Sequence, residues 1–424
     1  MPSLDQERVR LERFVVEGFR SCRHTDLSPT GDLSTLIGIN GSGKSNLLQA
    51  VFLLRRIAGG RWREREIPEA AICSIKARYR IGKVPVNYRA QLTYSPDERG
   101  KEEINSAREL WNFSDGKYPR RWIHLPSRFI VRSTSLSSPS SLTNQQTHAL
   151  NFARINFYIR RGYAGRGGVD ARASSLIAKV SAFNSGITYY SASQFTNPAS
   201  CPNYIEIESD GTLRETYLSP EPHKRFLFAL YTSHSKTKNL YEQFLSIVGR
   251  RGIGLIDAIH WREIRALSRD VTVRAGGKVV RRKREGLLVI PTIMIKGQRF
   301  SPDQLSEGTF KSLALLFYLL SDQSHLMLLE EPEVCVHHGL LTSILEVIKS
   351  ASARKQILFS THSEFVLDAV EPEQVHLVRN LASKGTVVQR LPRALSGRNY
   401  RALKHYLNTS GNLGEYLRHG GIGK

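Results

Sequence analysis

Eight residues near the amino terminus, Gly38-Ile39-Asn40-Gly41-Ser42-Gly43-Lys44-Ser45, match the pattern G-x-x-x-x-G-K-[ST]. Their chemistry is that of an anion cradle. A triphosphate needs many N–H donors close to its oxygens, and only backbone comes near enough. Gly38, Gly41 and Gly43 carry no Cβ to block that approach and accept φ values that other residues avoid. The exposed amides open a helix, where the dipole adds to the attraction for negative charge. In this pattern Lys44 reaches the β- and γ-phosphates and the Ser45 hydroxyl joins the shell of a magnesium ion.

A second group follows some 280 residues later. His325-Leu-Met-Leu-Leu-Glu330-Glu331-Pro332 reads as an apolar strand ending in two acids, and ligands of open α/β sheets bind at that end of a strand. One carboxylate there orients the magnesium water shell and the next polarises an attacking water. Ser306-Glu307-Gly308 stands ahead of an apolar stretch, with Ser306 as N-cap and Thr309 in the first turn,. Taken alone this is a helix start, yet it also points N–H groups and a hydroxyl at an anion. His362 falls just past the strand Ile357–Ser360, a place from which a γ-phosphate is sensed. A lone histidine there is more often structural; its order after the paired acids favours the functional reading.

These residues need elements to position them. Asp32–Ile37 reads as a short buried strand. Ser45–Ala58 reads as a helix with apolar Leu47, Leu48, Val51, Phe52 and Leu54, closed by Gly59-Gly60,. Residues 8–37 otherwise read as strands with a Gly18-Phe19-Arg20-Ser21 turn. From Leu287 the pattern is strand (Leu287–Ile290, Ile293–Ile295), buried helix (Ser306–Leu320), strand (Leu326–Leu329), helix (Leu340–Ile348) and strand (Ile357–Ser360). That alternation predicts a mostly parallel, covered sheet.

The chain between is different. Basic residues outnumber acids about two to one from Arg55 to Arg132, among short strands such as Ile75–Ile81 and Val86–Tyr94,. Trp62, Trp111 and Trp122 lie in this region, as anchors of a small core or as faces on which bases stack,. Ser127–Thr143 is a serine-rich loop. Ile187–Gln194 reads as a strand and Lys224–Val248 as one helix with a core-facing stripe. Arg274–Arg284 carries six basic residues and no acid around Ala275-Gly276-Gly277, a hairpin with a basic tip that is solvated or contacts phosphate.

Composition bounds the rest. A chain of 424 residues, 40% hydrophobic and 23% charged, is that of a globular protein with two domains or one domain and an inserted lobe,. No apolar run is long enough for a membrane span. The N-terminus lacks a signal-peptide pattern, and Cys22, Cys73, Cys201 and Cys335 are scattered, which points to a reducing cytoplasm and away from a zinc site,. Lys and Arg number 61 against 38 Asp and Glu, a net +23, and such an excess favours a polyanionic partner, nucleic acid first.

The order Asn40-Gly-Ser-Gly-Lys44-Ser45-Asn46, Leu305-Ser306-Glu307-Gly308, Leu-Leu-Glu330-Glu331-Pro332-Glu333 and Ser360-Thr361-His362 resembles the ABC-type ATPases of the RecF/SMC group. More narrowly it is similar to the AAA-annotated ATPases of the overcoming-lysogenisation-defect (OLD) kind and their relatives in bacterial anti-phage systems. The motifs cover about 1–60 and 290–390. The resemblance implies an α/β, ABC-ATPase-like P-loop fold: a mostly parallel core sheet, an antiparallel β-subdomain and a mixed or helical inserted lobe. The expected division is an N-terminal part of the ATPase head (1–60), an inserted basic lobe (61–286), a C-terminal part of the head (287–392) and a helical tail (393–424). The strand over 187–195 is a candidate to return to the head.

Carried over by motif, the resemblance implies ATP and Mg2+ as cofactors. Asn40, Gly41, Ser42, Gly43, Lys44, Ser45 and Asn46 bind nucleotide, and Ser45 and Glu330 hold the metal. Glu331 is the general base and His362 the switch residue. Ser306 and Gly308 match the signature that meets nucleotide held by a second subunit, which implies a homodimer or higher homo-oligomer through shared ATP sites. Gln194 is the candidate Q-loop glutamine. Glu330 stands where the wider family has Asp, one methylene shorter, and the signature reads Leu-Ser-Glu-Gly-Thr. No TOPRIM-type nuclease domain follows, so effector chemistry is expected in the middle segment or in a partner protein, a nuclease or other toxin. Three functions are weighed: an anti-phage ATPase gating DNA binding or an effector, a RecF/SMC-like repair or recombination ATPase, and a transporter-associated ABC ATPase, against which the basic middle and Asn46 speak.

Overall fold

The computed structural model describes residues 8–59, 72–96, 102–113, 123–129, 171–208, 211–213, 222–275, 278–334, 336, 338–409 and 411–418. Its strands are β1 (Val9–Phe19), β2 (Cys22–Leu27), β3 (Leu33–Ile37), β4 (Ile72–Ile81), β5 (Val84–Pro96), β6 (Glu102–Phe113), β7 (Ile123–Phe129), β8 (Thr188–Ser191), β9 (Ile205–Glu208), β10 (Ala258–Ala275), β11 (Lys278–Ile295), β12 (Gln298–Phe300), β13 (Leu326–Glu330), β14 (Gln356–Thr361), β15 (Val375–Leu381) and β16 (Gly385–Arg390). Its main helices are α1 (Lys44–Gly59), α2 (Ala171–Ser185), α3 (Pro222–Lys236), α4 (Lys238–Val248), α5 (Glu307–Ser321), α6 (His338–Ser352), α7 (Gly397–Thr409) and α8 (Leu413–Arg418).

The chain forms two compact units, one of Met1–Tyr190, Gln323–Glu331 and Lys349–Lys424, the other of Ser191–Asp322 and Pro332–Ile348. The first unit holds two sheets. One has the order β16-β15-β3-β14-β13-β8. Its centre is apolar on both faces: Leu326, Met327, Leu328 and Leu329 of β13 and Ile357, Leu358 and Phe359 of β14 are all buried, as parallel strands covered by helices require. β14 runs parallel to β3, with Thr361 opposite Ile37, and parallel to β13, with Ser360 opposite Glu330. Three strands therefore end flush, and whatever follows them in sequence gathers at one edge. Leu47, Leu48, Val51 and Leu54 of α1 belong to the same core.

The other sheet of the first unit, order β2-β1-β4-β5-β6-β7, is antiparallel. It bears on the division expected at residue 61. β4 pairs along β1, Ile75 opposite Val16 and Tyr79 opposite Leu11, so the basic segment continues the sheet that the N-terminus begins. Along β4, Cys73, Ile75, Ala77, Tyr79 and Ile81 are buried while Lys76, Arg78 and Arg80 face outward. The period-2 alternation builds core on one side, and the charges occupy only the other. Trp111 is likewise core: it is 1% exposed and packs on Tyr88 at 4.6 Å. Trp62 and Trp122 lie outside the described residues, as do residues 130–143 of the serine-rich loop and all of 60–71. α2 packs into this core, the Tyr79 hydroxyl donating to Asn184 Oδ1 at 2.8 Å and its ring meeting Phe183 edge-on at 5.7 Å.

The two sheets are tied through buried Gln356, whose Oε1 accepts from Leu11 N at 2.7 Å and whose Nε2 donates to Leu11 O and Gly31 O, each at 3.2 Å. The strand expected over 187–195 is shorter, β8, an edge strand beside β13, followed by a turn of 3-10 helix, Ala192–Phe195.

The second unit carries the long antiparallel hairpin of β10 and β11, joined by β9 and β12. β11 runs unbroken through Pro291, where two strands were expected. The backbone of the Arg274–Arg284 hairpin pairs Ala275 with Lys278; its Gly276-Gly277 tip lies outside the described residues. The helix expected over Lys224–Val248 is two, α3 and α4, interrupted at Thr237, whose φ of −130° and ψ of 61° are not helical. Their rings close on α5, Phe226 and Phe244 meeting Phe317 at 5.9 and 5.5 Å. α5 thus lies in this unit, on the same side as the residues before 287.

Candidate nucleotide-binding site

The loop Gly38–Ser45 joins β3 to α1. Gly38 and Gly43 are required by space, and Gly41 and Gly43 by φ. A Cβ on Gly38 would lie 2.3 Å from Val378 O, and one on Gly43, at φ +97°, would lie 2.0 Å from Thr386 Oγ1. Gly41 sits at φ +79° with open space around it. Ser42 N donates to Ile39 O at 3.1 Å, which folds the loop back on itself. Lys44, 5% exposed, reaches across the loop: Nζ donates to Gly38 O at 2.6 Å and Ile39 O at 3.2 Å. Its ammonium is held over the concave side by two carbonyls that ligand oxygens can replace.

The loop is braced from behind. Asn46 Nδ2 donates to Ser21 Oγ at 2.7 Å, and Arg20 Nη1 donates to Asn46 Oδ1 at 3.3 Å and to Gln49 Oε1. Thr386 Oγ1 donates to the same Ser21 Oγ at 2.8 Å, and Asn380 Nδ2 donates to Gly41 O at 3.3 Å. Asn46, expected to bind nucleotide, thus also links the loop to Ser21 and Arg20. Cys22 beside this brace is buried, and burial pushes its thiol up to about 11, so it stays protonated.

Two strands along, Glu330 closes β13 and Glu331 leaves it with φ +46°, a left-handed backbone rarely taken by a residue with a side chain,. Glu331 N donates to Ser360 O at 3.0 Å, which anchors that conformation to β14. The kinked backbone turns the Glu331 side chain to His362, with Oε1 3.5 Å from Nδ1. Ser363 N donates to Thr361 Oγ1 at 2.9 Å, shaping the turn that presents the imidazole. The flush ends of β3, β14 and β13 thereby bring the phosphate loop, His362 and the paired acids to one edge, as their order in sequence suggested.

Glu330 has a partner that sequence reasoning missed. The Tyr189 hydroxyl, from β8, donates to Glu330 Oε2 at 2.5 Å. Burial and the adjacent carboxylate push that phenol well above its ordinary range. Arg20, Ser21, Thr386 and Tyr189 carry no motif; the one trace was the Gly18-Phe19-Arg20-Ser21 turn beside the loop.

Ser306, Gly308 and Gln194 belong to the second unit. Ser306 caps α5, its Oγ accepting from Thr309 N at 3.2 Å, and Gly308 O accepts from Ser312 Oγ at 2.7 Å. One turn further in, buried Lys311 pairs with Glu307 at 2.6 Å. Gln194 is exposed on the turn after β8 rather than within a strand.

The edge fits a nucleoside triphosphate with magnesium. Glycines whose Cβ would collide line the loop, the Ser42 hydroxyl is buried with no hydrogen-bond partner among the described residues, and a hydroxyl (Ser45) and a carboxylate (Glu330) provide the hard oxygens that magnesium prefers. Among the described residues no His, Cys, Asp and Glu cluster holds another metal, and no helix is long and apolar enough to cross a membrane.

A covered, mostly parallel sheet with a phosphate loop after one strand and paired acids after its second neighbour defines a P-loop nucleotide-binding head. Within that class, residues 33–147 and 167–368 match the family described as "AAA domain, putative AbiEii toxin, Type IV TA system", and the chain belongs to that family. A 44-residue stretch is 46% identical to the DNA replication and repair protein RecF of Vibrio atlanticus, taking in 10% of this chain and 12% of that protein. Among solved structures, the chain is similar to the SMC head domain from Thermotoga maritima (TM-score 0.42, 12% identity, 90% of this chain and 98% of that one). It is also similar to the Smc head domain with an extended coiled coil from Pyrococcus furiosus, bound to the C-terminal domain of ScpA (TM-score 0.43, 12% identity, 95% and 100%).

Proposed function

We propose that this chain binds ATP with magnesium and hydrolyses it, and that nucleotide draws two copies together through shared sites. The observation that carries this reading is the Glu331–His362 pair, turned to the phosphate-loop edge by a left-handed residue. A glutamate in a helix or strand needs no such backbone; strain of about 1–3 kcal/mol persists where function uses it. Lys44 and the loop amides bind and orient the triphosphate, Asn40 and Gly41 to Gly43 lying around it. Ser45 and Glu330 would hold magnesium, which when bound would supply charge neutralisation at the phosphate oxygens. Glu331 accepts the proton of the attacking water as its oxygen bonds to the γ-phosphorus and the bond to ADP breaks. His362 senses the γ-phosphate. Ser306 and Gly308, at the N-terminus of α5, meet the nucleotide of a second copy, and Gln194 stands as the glutamine of the Q-loop.

The dimer, in this reading, gates DNA binding or a partner effector, a nuclease or other toxin, in cytoplasmic anti-phage defence. The family's description as a putative toxin of a type IV toxin–antitoxin system supports a toxin-bearing setting. The RecF stretch supports a second reading, a DNA repair or recombination ATPase. Phosphate release and solution mass, measured together with and without ATP and magnesium, test the proposal. Release by a protein whose mass doubles with ATP is expected; no release by a folded wild type overturns the enzyme, and release by a constant monomer overturns the shared site. Purification from the native host, with bound protein and nucleic acid identified, separates defence from repair.

A further inference from the structure

Tyr189 connects two parts of the site that the motifs treat separately. It stands on β8, an edge strand fastened to α1: Arg55 Nη1 donates to Ile187 O at 2.6 Å, and the Tyr189 ring meets Phe52 at 5.5 Å. On its other side Thr188 Oγ1 donates to Ser324 Oγ at 3.1 Å, just ahead of β13. Phe52 and Arg55 lie three residues apart, so one face of α1 grips β8,. From that grip the phenol reaches Glu330 Oε2 at 2.5 Å. Among the described residues no other hydrogen bond to the Glu330 side chain is made.

We propose that Tyr189 is a positioning residue for the metal carboxylate, holding Oε2 of Glu330 from β8 so that Oε1 is left for magnesium. The inference rests on the ATP reading above. A glutamate has one more rotatable bond than an aspartate, and an unrestrained carboxylate on that longer arm samples many positions. A charge-assisted bond from a ring packed on Phe52 fixes it,. It also sets Glu330 relative to α1, the helix that carries Lys44 and Ser45. The alternative is a polar pair that merely seals an edge strand, which would affect folding and leave metal dependence untouched.

Tyr189→Phe removes one oxygen and keeps the ring, so the core contact survives. The measurement is binding of a fluorescent ATP analogue across a magnesium series and in EDTA, with thermal unfolding alongside. Affinity in EDTA should match wild type, while the magnesium concentration giving half of the metal-dependent gain should rise about tenfold or more, as when the hydrogen-bond partner of a metal ligand is lost. Glu330→Asp retracts the carboxylate from the phenol, so adding Tyr189→Phe to it should change nothing further. A folded Tyr189→Phe protein with the wild-type magnesium profile overturns the inference, as does an equal loss in both backgrounds. If wild type fails to bind the analogue, the ATP reading falls and takes the inference with it. If wild type binds and Lys44→Ala does not, the ATP reading stands and Tyr189→Phe alone decides.

Discussion

Glu331 Oε1 lies 3.5 Å from His362 Nδ1 at the ends of β13 and β14, and the Glu331 backbone takes φ +46° there. The two residues are 31 positions apart in sequence, yet Ser360 and Glu330 are direct neighbours in the parallel register. A carboxylate beside an imidazole at a sheet edge is suited to taking a proton from water.

Glu331→Gln keeps size and polarity and removes the proton acceptor. Turnover should fall by about 100- to 10,000-fold, the range for loss of a general base, while ATP affinity stays near wild type. Phosphate release and equilibrium binding on the same preparation check it. Full hydrolysis by the glutamine variant would remove Glu331 from the chemistry.

Lys44→Ala should act at the binding step. The ammonium loses two loop carbonyls in the free protein and the phosphates in the complex, and a hydrogen bond to a charged partner contributes about 1.5–3 kcal/mol. ATP affinity should therefore drop at least about 10-fold. Because Lys44 is almost fully buried, its removal also bears on the loop; circular dichroism and unfolding separate the two. Wild-type affinity in a folded Lys44→Ala protein would contradict the placement of the phosphates.

What sequence reveals here follows from how the parts are built. The phosphate loop, the paired acids and their strands were legible because the chemistry demands fixed residue types at contiguous positions, and because buried parallel strands are apolar throughout. The braces were not, because they meet only after folding: Ser21 and Thr386 share a hydrogen bond across 365 positions, and Tyr189 reaches Glu330 across 141. The core within the basic middle segment was hidden for another reason. Net charge is an average over both faces of a strand, and on β4 it hid the alternation that makes Tyr79 and Ile75 core.

Gly43 and Gly41 test the loop geometry against each other. Both have positive φ, which costs an alanine about 1–3 kcal/mol. At Gly41 the added Cβ enters open space, whereas at Gly43 it strikes Thr386 Oγ1 at 2.0 Å. Thr386 cannot yield: its N donates to Ser21 O at 2.7 Å and its O accepts from Thr25 Oγ1 at 2.6 Å. Gly43→Ala should thus destabilise more than Gly41→Ala in chemical denaturation and abolish nucleotide binding. Equal losses would mean that Thr386 does not confine the loop.

His376 sets a pH dependence of stability. It is fully buried on β15, with Nε2 2.9 Å from Ser28 O and Nδ1 3.3 Å from Gln374 O. Burial lowers its pKa most, Arg390 opposite it adds to the lowering, and the two carbonyls partly oppose it. The unfolded chain, with a histidine pKa near 6.5, then binds the proton more readily than the native state. Stability from this group is full above about pH 6.5 and is lost as pH falls through that value and the lower native one. The stability difference between pH 7.5 and 5.5 should shrink in His376→Gln; an unchanged difference would clear His376 of the effect.

DNA binding, expected from the net +23, has one consequence on the described surface. The outward basic residues of β4 are matched by acids of β1: Lys76 pairs with Glu17 at 2.9 Å, Arg78 with Glu12 at 3.6 Å, and Arg80 also with Glu12. Exposed pairs of this kind stabilise little, but two carboxylates beside three cations weaken the field that would attract a phosphate. Duplex binding should weaken with salt at about 0.9 log units per decade for each phosphate neutralised, and replacing Lys76, Arg78 and Arg80 together by alanine should leave that slope unchanged. A slope reduced by about three phosphate contacts would place the duplex on β4 and show that the acids of β1 do not shield it. Binding indifferent to salt would remove the electrostatic basis for a nucleic-acid partner altogether.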